Sequence, residues 1–313
     1  MRIVAALGGN ALLKRGEAFS AANQWANVRA AATALAKLVV AGHQLVVTHG
    51  NGPQVGMLAS QAEAGPPEGA YPLDVLDAET EGMIGYMIEQ ALRNQLPHDA
   101  KVATVLTHVR VDPDDPAFHT PTKPIGQMYG EEDAKRLSAA RGWQVAPDGR
   151  GWRRVVASPE PLEILQQPII ATLIEAGVTV ICTGGGGIPC AREADGNLSG
   201  VEAVVDKDRA SALLATGLGA DWLLLLTDVD AAYVGFGTPQ ARAIGRANPV
   251  ALQARMSDFH AGSMGPKIEG AIRFAKSPGQ RAGIGRLQDA DSILHGTAGT
   301  VVDLTADGLQ FRA

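Results

Sequence analysis

Arg2-Ile3-Val4-Ala5-Ala6-Leu7-Gly8-Gly9-Asn10 is an apolar run that ends in a glycine turn, and Gln44-Leu45-Val46-Val47-Thr48-His49-Gly50-Asn51-Gly52 repeats the pattern. Continuous Val, Leu and Ile without polar alternation marks strands buried on both faces, as in a parallel sheet covered by helices. Between these runs, Ser20 is placed to N-cap a helix in which Trp25, Val28, Ala32, Leu35 and Val39 recur at helical spacing until Gly42 stops it. The segment is a β-α-β unit. Lys101 to Thr107, Val178 to Cys182 and Asp221 to Thr227 are further strand-like runs. A second helix, about Asp74 to Gln95, carries Val75, Ile84, Met87, Ile88 and Leu92. This alternation predicts an α/β fold with a mostly parallel, doubly wound sheet.

The rhythm breaks between about Arg110 and Pro161, where Pro113, Pro116, Pro121, Pro124, Pro147, Pro159 and Pro161 punctuate polar sequence that includes Asp148-Gly149-Arg150-Gly151. Long excursions of this kind are functional or mobile. The expectation is one domain over 1–313 with an inserted lid subdomain over 110–161. With 46% apolar and 19% charged residues the chain can bury a sizeable core without disulfides. Cys182 and Cys190 lack CxxC spacing and an accompanying His cluster, so both read as reduced, structural residues, and no metal site is expected. The net charge of −6 argues against a nucleic-acid surface. No apolar run is long enough to span a bilayer, and Met1 leads straight into a strand rather than a signal peptide, so the expected compartment is the cytosol.

In open α/β sheets ligands sit beyond the carboxyl ends of the strands. Three of the five strand-like runs end there in glycine: Gly8-Gly9-Asn10, Gly50-Asn51-Gly52 and Gly184-Gly185-Gly186-Gly187. Glycine lets backbone N–H groups approach an anion. Any one such pair reads equally as a tight turn; the recurrence favours a phosphate or carboxylate site. Neither GxxxxGK[ST] nor a GxGxxG opening a helix after the first strand is present, which disfavours P-loop NTPases and dinucleotide dehydrogenases. Cations must be supplied singly. Lys123 between Pro121 and Pro124, Lys207 inside Asp206-Lys207-Asp208, and Lys267 after Pro266 stand out, although each alone reads as a solvated surface lysine. Asp228 and Asp230 directly follow the most apolar run and suit a metal, a lysine or a ribose as well as a cap or turn. His49 and His108 read as packing or supporting residues.

These segments together resemble the carbamate kinases of the amino-acid kinase superfamily. The resemblance is carried by Ala6-Leu7-Gly8-Gly9-Asn10-Ala11-Leu12, His49-Gly50-Asn51-Gly52-Pro53-Gln54-Val55-Gly56, Gly82-Met83-Ile84-Gly85-Tyr86-Met87, Asp115-Pro116-Ala117-Phe118 and Pro121-Thr122-Lys123-Pro124-Ile125-Gly126. It continues through Gly184-Gly185-Gly186-Gly187-Ile188-Pro189, the run from Val201 to Asp208, Leu226-Thr227-Asp228-Val229-Asp230 and Gly262-Ser263-Met264-Gly265-Pro266-Lys267. The chain departs from the family pattern at His108, Gln127, Met128, Cys190 and Gly270, none of which removes a charge.

The resemblance implies a three-layer αβα sandwich, usually a homodimer, that uses Mg²⁺ with ATP to phosphorylate carbamate reversibly, giving ADP and carbamoyl phosphate, within arginine metabolism. By position, Gly8, Gly9, Asn10, Gly50, Asn51 and Gly52 would hold carbamate and the transferring phosphoryl group. Lys207 and Lys267 would neutralise ATP phosphates, Asp208 would orient the lysines, and Lys123 would reach in from the lid. Gly185, Gly186 and Asp228 would lie on the nucleotide side. Two alternatives stay open: another amino-acid kinase acting on a larger carboxylate, and a non-catalytic ATP-binding sensor.

Overall fold

Six strands run parallel through the middle of the molecule: β1 (Arg2–Leu7), β2 (Gln44–His49), β3 (Lys101–Val105), β4 (Val178–Cys182), β5 (Trp222–Thr227) and β6 (Arg281–Arg286). Their order across the sheet is β6-β5-β1-β2-β4-β3. The computed structural model describes residues 1–13, 17–64, 71–259 and 264–312.

Alternation along β1 shows how the sheet is covered. Val4 and Ala6 enter one core, with helices α4 (Gln167–Glu175), α5 (Lys207–Gly217) and α6 (Met264–Phe274) supplying Ile170, Leu214 and Phe274. Ile3, Ala5 and Leu7 enter the other, packed by Leu35 of α1 (Ala21–Val40) and Ile84 and Ile88 of α3 (Leu73–Arg93). The result is a three-layer αβα sandwich. Each fully buried Val, Leu, Ile or Phe among them contributes about 1.5–3 kcal/mol. As predicted, Ser20 caps α1 by accepting from the Asn23 N–H at 3.2 Å, and Gly42 follows the helix at φ +82°.

The faces follow from handedness. From β1 to β2 and from β2 to β3 the chain moves one way along the sheet, with α1 and α3 on one face. It returns through β4, β5 and β6 with α4, α5 and α6 on the other. Right-handed crossovers require this change of face when the direction reverses. Because β1 lies between β2 and β5, the loops beyond β1 and β5 diverge, and a crevice opens at that switch point.

Strand β6, Arg-Ala-Gly-Ile-Gly-Arg, was not among the strand-like runs. Its glycines have a packing reason: a Cβ on Gly285 would stand 2.9 Å from Ile293 Cδ1, and one on Gly283 would collide with the same side chain. Beyond β6 the sheet continues with Thr300–Val302, antiparallel to it. The run expected to reach Thr107 leaves the sheet after Val105.

Between β3 and α4 the chain builds a separate three-stranded antiparallel sheet of Lys123–Tyr129, Gly151–Val156 and Gln144–Asp148, with the helix Glu131–Arg141. On either side of it, His108–Arg110 and Glu163–Ile164 pair with each other in a small sheet that also holds Ile188–Arg192. The three-stranded sheet meets the body at helix α2 (Gly52–Ala64), where the Gly56 and Gly126 backbones touch. Gly52-Pro53, read as part of a turn, forms the first turn of α2, where proline's missing N–H costs nothing.

A Cβ on Gly56 would fall on the Gly126 backbone, which cannot swing aside. Gly56→Ala is therefore expected to cost about 1–3 kcal/mol, read as a lower urea midpoint and faster proteolysis within 110–161. Gly82→Ala, where the nearest atom is Leu106 Cδ2 at 4.0 Å, should instead stabilise α3 by about 0.5–1 kcal/mol.

Candidate active site

Helix α5 begins at the crevice, and its first residues carry most of the site. Asp206 is its N-cap: Oδ1 accepts from the N–H groups of Asp208 at 2.9 Å and Arg209 at 3.3 Å. Its second oxygen takes the Lys123 ammonium at 2.6 Å, joining the three-stranded sheet to α5. Lys207 turns its ammonium onto Asp208 Oδ1, and Asp208 Oδ2 accepts from Lys267 Nζ at 3.0 Å. Lys267 reaches across from α6 because Gly270 lets the helices close: a Cβ there would stand 3.0 Å from the Asp208 carbonyl oxygen. Ser211 donates to the Lys207 carbonyl at 2.5 Å and lies 2.6 Å from the Thr48 hydroxyl, fastening α5 to β2.

The glycine turns meet this group. The Gly8 N–H donates to the Leu226 carbonyl at 2.9 Å, and the Gly50 N–H to the Leu7 carbonyl at 3.0 Å. A Cβ on Gly50 would lie 3.3 Å from both the Gly9 nitrogen and Lys207 Cδ. Gly8, Gly9, Gly50, Lys207, Asp208 and Lys267 thus form one contiguous surface, with Lys123 attached through Asp206. Gly52 opens α2 beside it. The Asn10 side chain and Gly262-Ser263 lie outside the described residues.

Asn51 faces inward. Its amide donates to Asp77 Oδ1 at 2.7 Å and Thr80 Oγ1 at 2.9 Å, which occupies both its hydrogens. Gly185 packs on the Asn51 amide, and a Cβ on Gly186 would stand 2.5 Å from the Val205 carbonyl oxygen. Both glycines are therefore buried beside Asn51 and Val205. Asp228 stands at the end of β5 and accepts from Thr227 Oγ1 at 3.1 Å, while Asp230 takes the Tyr233 hydroxyl at 3.1 Å. His49 is buried, with Nδ1 3.2 Å from the Gly50 carbonyl oxygen. His108 is not a packing residue: it is exposed and pairs with Gln166 at 3.1 Å.

Lys207, Lys267 and Asp208 are each at most 9% exposed. Burial pushes Lys207 down to about 8 against the pull of Asp208. Burial opposes ionisation of Asp206 too, but Lys123 and then Lys207 and Lys267 hold that carboxyl well below the usual range. Asp208 is lowered in the same way by Lys207 and Lys267. Three ammonium groups against two carboxylates leave a surplus positive charge in a protein whose net charge is negative. A site of this kind favours an anion.

Sequence reading missed Asp77, Thr80 and Glu81 on α3. Glu81 accepts backbone N–H groups from Thr107 at 3.0 Å and Gly184 at 2.8 Å. Burial pushes Glu81 up to about 8 and Asp77 well above the usual carboxylate range, and it drives His49 down to about 4. The available signal was carboxyls at positions 77 and 81, one turn apart and continuing the stripe of Ile84 and Ile88.

The sequence model of the Amino acid kinase family matches residues 1–285. The chain belongs to that family. It is 52% identical to a carbamate kinase of Rhizobium meliloti, covering 96% of this chain and 93% of the relative. It is 50% identical to one of Haemophilus influenzae, covering 100% of both. Within the family it therefore falls among the carbamate kinases. Among solved structures, carbamate kinase from Giardia lamblia bound to citric acid superposes with a TM-score of 0.89 at 43% identity, covering 96% of this chain and 98% of that one. The same enzyme bound to AMP-PNP gives 0.86, with the same identity and coverage. A UMP kinase from Bacillus anthracis, at 14% identity and a TM-score of 0.56, shares the fold.

Asp208 is the carboxylate that keeps two buried ammonium groups together. Asp208→Asn should lower stability at pH 7 by about 3 kcal/mol, as removal of one partner of a buried ion pair does. Asp208 is also what holds Lys207 as high as about 8, so without it the ammonium sheds its proton at lower pH, and the deficit should be largest in acid and narrow as pH rises towards 8. Urea unfolding at pH 6, 7 and 8 measures both.

Proposed function

We propose that the protein catalyses reversible phosphoryl transfer between ATP and carbamate, giving ADP and carbamoyl phosphate. The observation that carries this reading is the group of Lys207, Asp208 and Lys267, with Lys123 joined to it through Asp206, set against the Gly8-Gly9 and Gly50 turns. Carbamate is already an anion, so its oxygen attacks without losing a proton and no general base is required. The barrier is electrostatic. Two unit negative charges brought to about 4 Å cost roughly 4 kcal/mol at an effective dielectric of about 20.

In this reading Lys207 and Lys267 neutralise the charge that builds on the phosphoryl oxygens, and Asp208 holds both at the right spacing. Gly9, Asn10, Asn51 and Gly52 hold carbamate and the phosphoryl group through backbone N–H groups and the opening turn of α2, while Gly8 and Gly50, whose own N–H groups go to the Leu226 and Leu7 carbonyls, hold the turns close enough for the ligand to approach. Asn51, with both amide hydrogens taken, contributes through its backbone and its oxygen. Gly185 and Gly186, which the resemblance puts on the nucleotide side, pack behind Asn51 and Val205 and in this reading shape the carbamate end instead. Asp228 serves the nucleotide side, and residues 110–161 act as a lid that carries Lys123 to the site.

Both carboxylates of the cation group are taken by lysines. Among the described residues no set of three His, Cys, Asp or Glu stands where it could hold a metal ion. The donor set therefore fits Mg²⁺ that arrives on the ATP phosphates, where it would neutralise phosphoryl charge. No helix among the described residues is long and apolar enough to cross a membrane; a cytosolic location is part of the proposal. So is a homodimer, for which the exposed Tyr86 and Leu106 beside Gly82 on α3 offer an apolar contact face.

ATP formation from ADP, Mg²⁺ and carbamoyl phosphate should far exceed that from acetyl phosphate or acetylglutamyl phosphate. Activity with another acyl phosphate alone would replace the substrate, and ATP binding without transfer would replace the enzyme with a sensor. Lys207→Ala should lower kcat on the order of 10²–10³-fold while the protein stays folded. Because Lys207 acts protonated and its pKa is pushed down to about 8, kcat/KM should fall on the alkaline side of about pH 8. In Lys207→Arg, which stays charged, that limb should move upward.

A further inference from the structure

Helix α3 spends buried volume on Glu81, a residue that no step of the proposed transfer requires. Its side chain has no solvent exposure and forms no ion pair among the described residues. An apolar residue in the stripe of Ile84 and Ile88 would cost less to bury. The carboxyl group instead spans two strand ends: Oε2 accepts from the Thr107 N–H just past β3, and Oε1 from the Gly184 N–H just past β4. The Thr107 hydroxyl completes the tie, donating to the Val105 carbonyl at 2.8 Å and accepting from the Thr183 N–H at 3.0 Å.

What is tied is a strained turn. Thr183 sits at φ +54° and ψ +37°, the one non-glycine residue with positive φ among those described. A β-branched residue in the left-handed region costs on the order of 1–3 kcal/mol and persists only where its surroundings over-determine it. The turn is also the backing of the glycine corner. A Cβ on Gly184 would overlap the His49 imidazole, and one on Gly185 the Asn51 amide. His49 and Asn51 flank Gly50, which lies against Lys207.

We infer that Glu81 is a positioning residue: by accepting the Gly184 and Thr107 N–H groups it fixes the Thr183-Gly184 turn, and the turn sets His49, Asn51 and the Gly50 corner against Lys207. The kinetic consequence rests on the proposed phosphoryl transfer; the hold on the turn does not. The effect is directional. The corner is the carbamoyl phosphate end, whereas Lys267 and Asp228 lie toward the nucleotide.

Glu81→Gln tests this without changing volume, because an amide accepts from one of the two N–H groups and confronts the other with a donor. Amide hydrogen exchange followed by NMR should quicken at Thr183 and Gly184 by about tenfold or more while β1 amides stay unchanged, as expected when a buried N–H loses its acceptor. The kcat for ATP formation should fall by about tenfold or more, and KM should rise more for carbamoyl phosphate than for ADP. At pH 9, above the value of about 8 to which burial pushes Glu81, the melting temperature should hold or rise, since a neutral amide is cheaper to bury than a carboxylate. Unchanged exchange at Gly184 overturns the inference, as do kinetic constants all within about twofold of the parent or a fall in melting temperature with equal changes in both KM values. If the parent protein makes no ATP from carbamoyl phosphate, the proposed function fails and the exchange result alone decides the role of Glu81. Should Glu81→Gln not fold, Glu81→Asp withdraws the carboxyl by one methylene from both N–H groups, with the same readouts and the same outcomes overturning the inference.

Discussion

One carboxylate shared by two buried ammonium groups governs the arrangement of this protein's functional end. Without Asp208, Lys207 and Lys267 would repel each other where water cannot screen them. With it, the two helices α5 and α6 must present their first turns at fixed depth beyond the sheet. Several otherwise separate features follow from that requirement. Gly270 thins α6 where it crosses Asp208, Ser211 binds α5 to Thr48 of β2, and Asp206 caps α5 while pairing with Lys123. The group keeps a surplus positive charge that only an anion from outside can balance, which links the stability of the fold to the chemistry of its ligand.

Most of the sheet was legible in the sequence because its central strands are buried on both faces and so spell themselves as unbroken apolar runs. β1, β2 and β5 needed no further information. β6 escaped because its neighbour Ile293 occupies the space that side chains at 283 and 285 would fill, and glycine in a strand carries no strand signal. The third run was read two residues too long because Thr107 gives its N–H to Glu81 rather than to the ladder. In each case a long-range contact overrode a local pattern.

The cations of the site were legible for a different reason. Lys123, Lys207 and Lys267 lie among prolines, glycines and acidic residues that mark sharp chain direction, and the family resemblance singled out the same three. That Lys207 and Lys267 share one carboxylate, whereas Lys123 pairs with Asp206, was not legible. Nothing in the spacing says which acid meets which base across 59 residues in one pair and 83 in the other. Asp77 and Glu81 went unread because acidic residues in a helix are ordinarily solvated, and their burial depends on strands that arrive later in the chain. The glycines at 184–187 were recognised as special, but not the packing that needs them: they make room for His49, Asn51, Val205 and Val109.

The seam between the three-stranded sheet and the body joins the bare backbones of Gly56 and Gly126 and the pairing of Lys123 with Asp206, around a small apolar seat in which Ile125 and Val156 meet Val55 and Leu76. A joint of this kind behaves like a coupling with two pins. Whatever lies between Tyr129 and Gly151 is free to drift in sequence, or to be exchanged for a relative's version, so long as both pins survive the transplant. The insertion can then evolve as a detachable cassette while the ammonium it delivers stays in register.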